Sequence, residues 1–244
     1  MKAAPEIQRR LLDVQGVDTA IAQLEHRKRA LPEHAEIADG AKRRAAILES
    51  ITATQTEVGD LDLDVSKAES DLVPVRERKA RNQQRVDAGA ADPKALTALI
   101  DEIEHLGRRI SDLEDAQLEV MERHEDATAR LEALKRDRSE IETSLRSLMA
   151  RRDEQVGDLD AQLAQKAAER ATLALDMPAD VLALYDRIRE RSGGVGAARL
   201  AGRRCTGCQI EATSVALDRY QAAPADDIVR CEECERILVR GADA

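Results

Sequence analysis

The sequence lacks the residues that usually fill a thick globular core. It contains no Phe, no Trp and only two Tyr among 244 residues, while 35% of its residues are charged. Aromatic side chains bury the largest areas in compact domains, so their near absence argues against a conventional core. A charged chain rich in Ala, Leu, Glu and Arg is instead typical of long helices that bury narrow apolar seams.

Long apolar runs are missing as well. The sequence has no stretch of 18 apolar residues, which argues against a membrane-spanning helix, and its first ten residues contain no apolar signal region. We therefore expect a cytoplasmic protein that does not act at a membrane. The net charge of −10 argues against nucleic acid as the default partner.

Cysteine is scarce, but its four copies form two close pairs. Cys205 and Cys208 make the first pair, Cys231 and Cys234 make the second, and 22 residues separate the pairs. In a reducing compartment such pairs favour metal ligands over disulfides, and each Cys-x-x-Cys turn can give two thiolates to one tetrahedral zinc ion. Four protein ligands leave no position for a substrate, so the spacing predicts one structural zinc.

Apolar residues recur at alternating steps of three and four along two long segments. The first series runs from Ile47 to Val75 with Thr54 as its only polar member, and the second runs from Leu96 to Leu148. A seven-residue repeat predicts a left-handed supercoil, and a narrow seam requires a partner helix.

The break between the two series predicts the tip of an antiparallel hairpin at residues 87–93. Gly89 can end a helix in the left-handed conformation, and Asp92 followed by Pro93 suits a helix start. The arms on either side are about 83 residues each, or roughly 125 Å at the rise of an α-helix.

Prolines predict two irregularities in the first arm. Pro32 interrupts an early periodic stretch, whereas Pro74 should bend its helix without ending it. The first helix either folds back on the second or continues in line with it after a kink near Pro32. Equal arm lengths favour the in-line arrangement, because nearly every seam residue then finds a partner.

The predicted fold is therefore mainly α, with a coiled-coil hairpin over residues 1–175 and a short helix plus a small β zinc ribbon over residues 176–244. The short helix carries Tyr185 on its apolar face, and residues 192–196 are expected to form a flexible hinge. Zinc should be needed for the fold of so small a module. The predicted strands lie at residues 197–200, 210–217 and 237–239.

Several motifs in this chain resemble those of a bacterial family, the flagellar and type III secretion-associated zinc-ribbon proteins, over almost its whole length. That family joins a long helical hairpin to a four-cysteine zinc ribbon, and its members contact sigma-54, secretion components and, in one case, messenger RNA. The resemblance implies a scaffold or regulatory adaptor and no enzyme. The motifs are Leu12-Asp-Val-Gln-Gly-Val-Asp18, Leu24-Glu25, Leu31-Pro32, Leu113-Glu-Asp115, Tyr185-Asp-Arg-Ile-Arg189, Cys205-x-Gly-Cys208 and Cys234-x-Arg-Ile-Leu238.

One residue departs from the family pattern, which usually has Gly after the fourth Cys. This chain has Glu235 there, although Gly suits a knuckle turn that needs a positive φ. With Glu232 and Glu233 it makes the second knuckle acidic, which disfavours nucleic-acid binding through that knuckle.

Two basic clusters are the candidate partner-binding sites. The tip cluster has a net charge of +3 and is either a solvated end or a dock for an acidic protein or a phosphate backbone. The ribbon cluster either contacts phosphate or offsets the charge of the zinc thiolates. The tip cluster comprises Arg76, Arg78, Lys79, Arg81, Arg85 and Lys94, and the ribbon cluster comprises Arg199, Arg203 and Arg204.

The sequence contains no recognisable catalytic constellation or cofactor fingerprint, which predicts that the protein has no enzymatic activity and no small-molecule substrate. The function predicted first is a cytoplasmic adaptor that binds proteins through its coil and its zinc ribbon. The alternatives are a regulator that binds RNA or DNA through the ribbon, and a structural spacer that dimerises through exposed coil surface.

Overall fold

The computed structural model describes residues 1–89 and 92–241 and combines long helices with a small C-terminal sheet. The predicted fold class, a long helical hairpin with a small β ribbon, is confirmed. Two residues of the predicted tip, Ala90 and Ala91, lie outside the described residues, as do residues 242–244 of the predicted ribbon module. No helix in the described part of the chain is long and apolar enough to span a membrane.

The helices are α1 (Pro5–Arg29), α2 (Pro32–Asp87), α3 (Pro93–Leu175), α4 (Ala179–Arg191) and α5 (Ser214–Ala222). The strands are β1 (Ala197–Ala201), β2 (Arg204–Cys205), β3 (Val229–Arg230) and β4 (Ile237–Val239). The chain divides into two compact units. We call Glu36–Leu148 the hairpin unit, and Met1–Ala35 together with Met149–Ala244 the ribbon unit.

The hairpin unit is held together by the seam that the sequence repeat predicts. Every position of the first series, from Ile47 to Val75, is buried or half-buried, and so is every position of the second series. Leu61 and Leu72 of α2, with Leu106 of α3, are among its buried side chains. The seven-residue spacing therefore places apolar groups along one stripe of each helix, as the repeat requires.

Ion pairs between the helices of the hairpin unit show that the two helices run antiparallel. Arg44 bonds to Glu142 at 3.0 Å, and Arg76 bonds to Glu114 at 2.6 Å. Residue numbers rise along α2 as they fall along α3, which is the order that a hairpin requires. Asp92 caps the start of α3, since its carboxylate accepts the backbone N–H groups of Lys94 and Ala95 at 2.9 and 3.0 Å.

In the ribbon unit, α1 packs against the C-terminal part of α3. Lys28 pairs with Asp160 at 2.6 Å, and Arg10 pairs with Asp176 at 3.2 Å. Within this unit, the helical partner of α1 is therefore α3. The break at Pro32 separates α1 from α2, whereas Pro74 lies inside α2, which continues to Asp87.

The sheet of the ribbon shares a hydrophobic core with the helices. Leu11 and Val14 of α1, Tyr185 of α4, and Ala197 and Ile237 of the sheet are buried in one cluster. The strand order is β2-β1-β4-β3, with β1 and β4 parallel and the other pairs antiparallel. The ribbon is therefore packed as part of the helical core of its unit.

The predicted strand at residues 210–217 is wrong, because α5 begins at Ser214 inside that range. The Thr213 hydroxyl caps this helix by accepting the N–H of Ala216 at 3.1 Å. Ala216 and Tyr220, one turn apart, are the buried side chains of α5. A single apolar stretch of this length fits either periodicity, so the sequence pattern did not decide between strand and helix.

The first residues of the chain extend the ribbon, a contact that the sequence analysis missed. Lys2 forms an isolated antiparallel bridge with Asp227, and Ala3 N–H donates to the carbonyl of Asp226 at 2.7 Å. The buried Gln8 amide donates to the carbonyls of Ala3 and Ala225 at 2.9 and 3.0 Å. The Gln8 side chain thus binds both the N-terminal segment and the segment that precedes β3.

Two leucines of α2 provide a matched test of the seam. Leu61 is 3% exposed and Leu63 is 70% exposed, two residues apart on the same helix. We expect Leu61→Ala to lower the free energy of unfolding by about 2–5 kcal/mol, because it leaves a cavity in the seam. Leu63→Ala should change it by less than about 0.5 kcal/mol. Urea unfolding followed by circular dichroism measures both, and equal effects would contradict the seam.

Candidate metal centre

The four cysteines meet at one point of the ribbon. All four sulfurs lie within 4.8 Å of one another, with Cys205 and Cys231 buried and the other two half-buried. Sulfurs of different knuckles lie 3.9 Å apart in the pairs Cys205–Cys234 and Cys208–Cys231. A tetrahedral zinc ion with bonds of about 2.3 Å places its sulfurs about 3.8 Å apart. The thiols therefore fit one structural zinc ion.

The two knuckles have the same backbone geometry. The N–H of Gln209 donates to the carbonyl of Cys205, and the N–H of Glu235 donates to the carbonyl of Cys231, both at 2.8 Å. Gln209 and Glu235 both have a positive φ, 65° and 60° respectively. Each knuckle therefore turns in the left-handed region directly after its second cysteine, at a position where Gly carries no steric cost.

The surroundings oppose ionisation of Cys205 and Cys231 and favour ionisation of Cys234. Burial raises the pKa of the Cys205 thiol, and it raises the pKa of the Cys231 thiol to about 12. Burial also opposes ionisation of Cys234, but hydrogen bonds from the backbone and side chain of Arg236 outweigh it and hold the pKa of that thiol below its ordinary value. Zinc binds thiolates, so it would displace the protons that burial retains.

Of the three basic residues predicted near the first knuckle, one is paired with a carboxylate. Arg204 forms an ion pair with Glu211 at 3.1 Å, and the guanidinium of Arg203 lies 3.4 Å from the Ser214 hydroxyl. The backbone of Arg199 contacts Thr206: its N–H donates to the Thr206 hydroxyl at 2.9 Å, and its carbonyl accepts the Thr206 N–H at 2.9 Å. In the described part of the chain, neither Arg199 nor Arg203 has a carboxylate partner.

Arg236 is the arginine that the sequence analysis missed. Its guanidinium donates to the carbonyl of Gly207, inside the first knuckle, at 3.2 Å. A Cβ added at Gly207 would lie 2.8 Å from the Cδ of Arg236 and 3.0 Å from the Cβ of Ala198. The Gly of Cys205-Thr-Gly-Cys208 thus provides the space that this contact needs. Arg236 belongs to the motif Cys234-x-Arg-Ile-Leu238, which was the available sequence signal.

Beside the ribbon, a buried carboxylate joins three helices. The side chain of Asp18, 1% exposed, accepts a hydrogen bond from Arg170 at 2.7 Å and forms an ion pair with Arg189 at 2.9 Å. The Tyr185 hydroxyl lies 2.8 Å from the same carboxylate. Burial, followed by its contacts with Asp18, raises the pKa of Tyr185, so the phenol remains a proton donor. We call Gln15, Asp18, Arg170, Tyr185 and Arg189 the junction network.

Gln15 connects the junction network to the turn that precedes the ribbon. Its carbonyl oxygen accepts the N–H of Gly196 at 2.7 Å, and its amide donates to the carbonyl of Gly194 at 3.0 Å. The expected flexible hinge at residues 192–196 is thus hydrogen-bonded to α1. Gln15 and Asp18 occur in one of the motifs that carry the family resemblance, but nothing in the sequence indicated that they face Tyr185.

The net positive charge of the tip cluster becomes smaller when the charged residues of the opposite helix are included. Including the opposite helix, residues 76–112 carry eight basic and seven acidic groups. Arg85 and Lys94 have no ion pair among the described residues, and a Cβ added at Gly107 would lie 3.4 Å from the ammonium of Lys79. The remaining three residues pair with carboxylates of the same unit: Arg76 with Glu114, Arg78 with Glu102 and Arg81 with Glu77.

Glu235 allows a test of the knuckle turn. Glu235→Gly and Glu235→Ala both remove its ion pair with Arg230, but only Gly relieves the positive φ. We expect the Gly variant to be about 1 kcal/mol more stable than the Ala variant. Thermal unfolding of the zinc-loaded proteins measures the difference. Equal stabilities would show that this turn stores no strain.

Cys231 allows a test of the metal centre. We expect Cys231→Ser to lose tight zinc binding, because the remaining three thiolates cannot close the tetrahedral site. Elemental analysis of reduced protein should find one zinc per wild-type chain and almost none in the variant. Glu233→Ser, which changes an exposed residue of the same knuckle, should keep its zinc. Full zinc in Cys231→Ser would exclude Cys231 as a ligand.

Two family models match the chain. The model described as a CT398-like coiled coil hairpin domain matches residues 14–193, and the model described as a C4-type zinc ribbon domain matches residues 204–238. The four close cysteines and the matched ribbon are together consistent with one structural zinc ion. Neither match indicates an enzyme family, and neither supports the flagellar and type III secretion association that the resemblance implied.

Similar proteins span nearly the whole chain. The uncharacterized protein MT2288 of Mycobacterium tuberculosis is 35% identical over 240 residues, or 98% of each chain. A solved structure from Mycobacterium smegmatis is 35% identical, with a TM-score of 0.83, covering 98% of this chain and 100% of the other. The structure of CT398 from Chlamydia trachomatis, 18% identical with a TM-score of 0.70, covers 96% of this chain and 98% of its own and bears on the fold alone. This chain therefore belongs to the CT398-like coiled coil hairpin family and carries a C4-type zinc ribbon.

Proposed function

We propose that this protein is a cytoplasmic, non-enzymatic adaptor that binds other proteins, with the zinc ribbon as its recognition head and the hairpin as a lateral surface. A coiled-coil hairpin combined with a closed four-cysteine site suggests a structural protein of this kind. Cysteine pairs that are suited to metal binding fit a reducing compartment.

The proposal rests on two exposed apolar side chains in the ribbon. Ile210, which follows the first knuckle, is 48% exposed, and Val215, in the first turn of α5, is 68% exposed. Arg203, beside Ser214, has no carboxylate partner in the described part of the chain. We call Arg203, Ile210 and Val215 the ribbon face. Its chemistry suits a protein surface with apolar and acidic side chains.

The packing of the ribbon supports its role as a head. Ala197 and Ile237 lie in the core that α1 and α4 also form, and Gln8 holds the segment before β3 to α1. A surface that is ordered before binding loses less conformational entropy when a partner docks. The ribbon face is therefore better prepared for recognition than a tethered loop would be.

The tip provides a second, smaller candidate surface. Arg85 and Lys94, which have no ion pair among the described residues, are the residues that we propose there. Arg76, Arg78 and Arg81 are less available, because an incoming acidic group would compete with their own carboxylates. Exposed ion pairs are worth about 1 kcal/mol or less, so this competition is modest.

Nucleic-acid binding through the ribbon is the alternative function, and the observed charges do not favour it. Arg204 and Arg219 are paired with Glu211 and Glu232, at 3.1 and 2.6 Å. The second knuckle adds Glu233, which is exposed. A flagellar or secretion role does not form part of the proposal, because no feature of the described residues selects such a partner.

A negative charge introduced on the ribbon face tests the proposal. We expect Val215→Glu to abolish cross-linking of the protein to its main partners in cells, because a carboxylate would be placed against an apolar and acidic surface. Leu63→Glu, at an equally exposed leucine of the hairpin unit, should leave that set of partners unchanged. Quantitative mass spectrometry of cross-linked cells that express each variant measures the difference.

Salt dependence separates the two functions. The purified protein should bind RNA and DNA weakly and with a steep loss on raising salt, whereas docking through the ribbon face should depend less on salt. Tight nucleic-acid binding that Val215→Glu leaves unchanged, but that replacement of Arg199 and Arg203 by Glu removes, would overturn the adaptor proposal. A set of cross-linked proteins that is identical in wild type and Val215→Glu would overturn the ribbon face as the head.

A further inference from the structure

Arg236 connects the zinc knuckles to the turn that follows α4. Its guanidinium donates to the carbonyls of Ser192 at 2.7 Å, Val195 at 3.0 Å and Gly207 at 3.2 Å. Ser192 and Val195 belong to the turn, Gly207 belongs to the first knuckle, and Arg236 follows the second knuckle directly. One half-buried side chain therefore fixes the relative position of three segments that are distant in sequence.

The far side of the same turn is equally constrained. Gly196 packs so closely on α4 that a Cβ there would lie 2.7 Å from both the ring and the carbonyl oxygen of Tyr185. Gln15, 7% exposed, holds the turn through Gly194 and Gly196. A displacement of the turn toward or away from the ribbon must therefore disturb Gln15 or Tyr185.

The junction network continues this connection into the helices. The Tyr185 hydroxyl lies 3.1 Å from the Gln15 carbonyl oxygen and 2.8 Å from the Asp18 carboxylate. Asp18 in turn binds Arg170 of α3 and Arg189 of α4. Hydrogen bonds, joined by the backbone of the turn, thus connect the first knuckle through Arg236 to Gln15, and the Tyr185 hydroxyl lies between Gln15 and a carboxylate that is buried among three helices.

We propose that Arg236 is a positioning residue of the zinc site, and that through the turn at residues 192–196 it couples metal binding to the junction network. Residues outside the ligand set that orient metal-binding segments commonly change affinity when they are removed. Coupling of this kind is reciprocal. If zinc binding stabilises the junction network by a given free energy, then loss of that network must weaken zinc binding by the same free energy. The proposal concerns metal binding and stands independently of the adaptor function.

The local half of the proposal is tested by zinc affinity. We expect Arg236→Gln to weaken zinc binding by about 10-fold to 100-fold, measured by competition with a chelator. Arg240→Gln is the matched control, because Arg240 also donates to carbonyls of the ribbon, at Tyr220 and Ala223, but touches neither knuckle nor turn. Arg236→Lys should recover part of the affinity, since an ammonium can serve some but not all of the three carbonyls. Equal losses in Arg236→Gln and Arg240→Gln would reduce Arg236 to general stabilisation of the ribbon and overturn its positioning role.

The coupling is tested from the helical side. Gln15→Leu changes a residue of α1 that contacts no cysteine, and we expect it to weaken zinc binding by about 5-fold or more. In the double variant with Arg236→Gln, the combined loss should be smaller than the product of the single losses, because both changes release the same turn. Val17→Ala, a change at a buried apolar position of α1 outside the network, is the control.

Hydrogen exchange of the wild-type chain tests the same link without any substitution. Zinc removal should speed exchange at the amides of Gly194 and Gly196, which lie outside the ribbon strands, as well as at the knuckles. The coupling is overturned if Gln15→Leu and Val17→Ala have the same zinc affinity, or if zinc leaves exchange at the turn unchanged. If Arg236→Gln does not fold, these two measurements decide the question.

Discussion

The ribbon unit depends on the Asp18 carboxylate, because α1, α3 and α4 all meet there. A carboxylate that is 1% exposed is costly unless opposite charges and hydrogen bonds surround it, and here two guanidinium groups and a phenol do so. Removing one partner of such a buried pair typically costs about 3–5 kcal/mol, because the remaining charge stays buried. The same carboxylate orients Tyr185, whose ring fixes how closely Gly196 approaches. The placement of the turn, and with it the ribbon, follows from this contact.

The hairpin unit is stabilised by a different principle. Its helices bury single stripes of aliphatic residues and cover the flanks with ion pairs such as Arg44–Glu142 and Arg130–Glu57. Exposed pairs of this kind add little stability, but they disfavour other registers and orientations of the two helices. This explains how a chain without Phe or Trp folds: a seam shared by two helices needs many small contributions and no thick core.

The zinc site and the helical core both stabilise the ribbon. The sheet is covered by two hydrophobic clusters. Ala198, Leu200 and Leu238 pack with Ala216 and Tyr220 of α5 and with the buried cysteines, whereas Ala197 and Ile237 pack with α1 and α4. In the ribbon, Arg204 and Arg219 are paired with carboxylates and the second knuckle is acidic, whereas Arg199 and Arg203 have no carboxylate partner among the described residues and Ile210 and Val215 are exposed. The exposed apolar side chains support the proposal of a protein partner over a phosphate backbone.

The sequence by itself determined the features that depend on local spacing. The seven-residue repeat specified the paired helices, Asp92 and Pro93 specified the start of α3, and the two Cys-x-x-Cys pairs specified the zinc site, because each is a property of residues near one another in the chain. Tertiary structure alone decided that Asp18 meets Tyr185 across 167 residues and that Arg236 binds the turn after α4. It also decided that the stretch at residues 210–217 enters a helix. Polar contacts between distant segments leave no periodic trace in a sequence, and a short apolar stretch takes its form from the surface on which it packs.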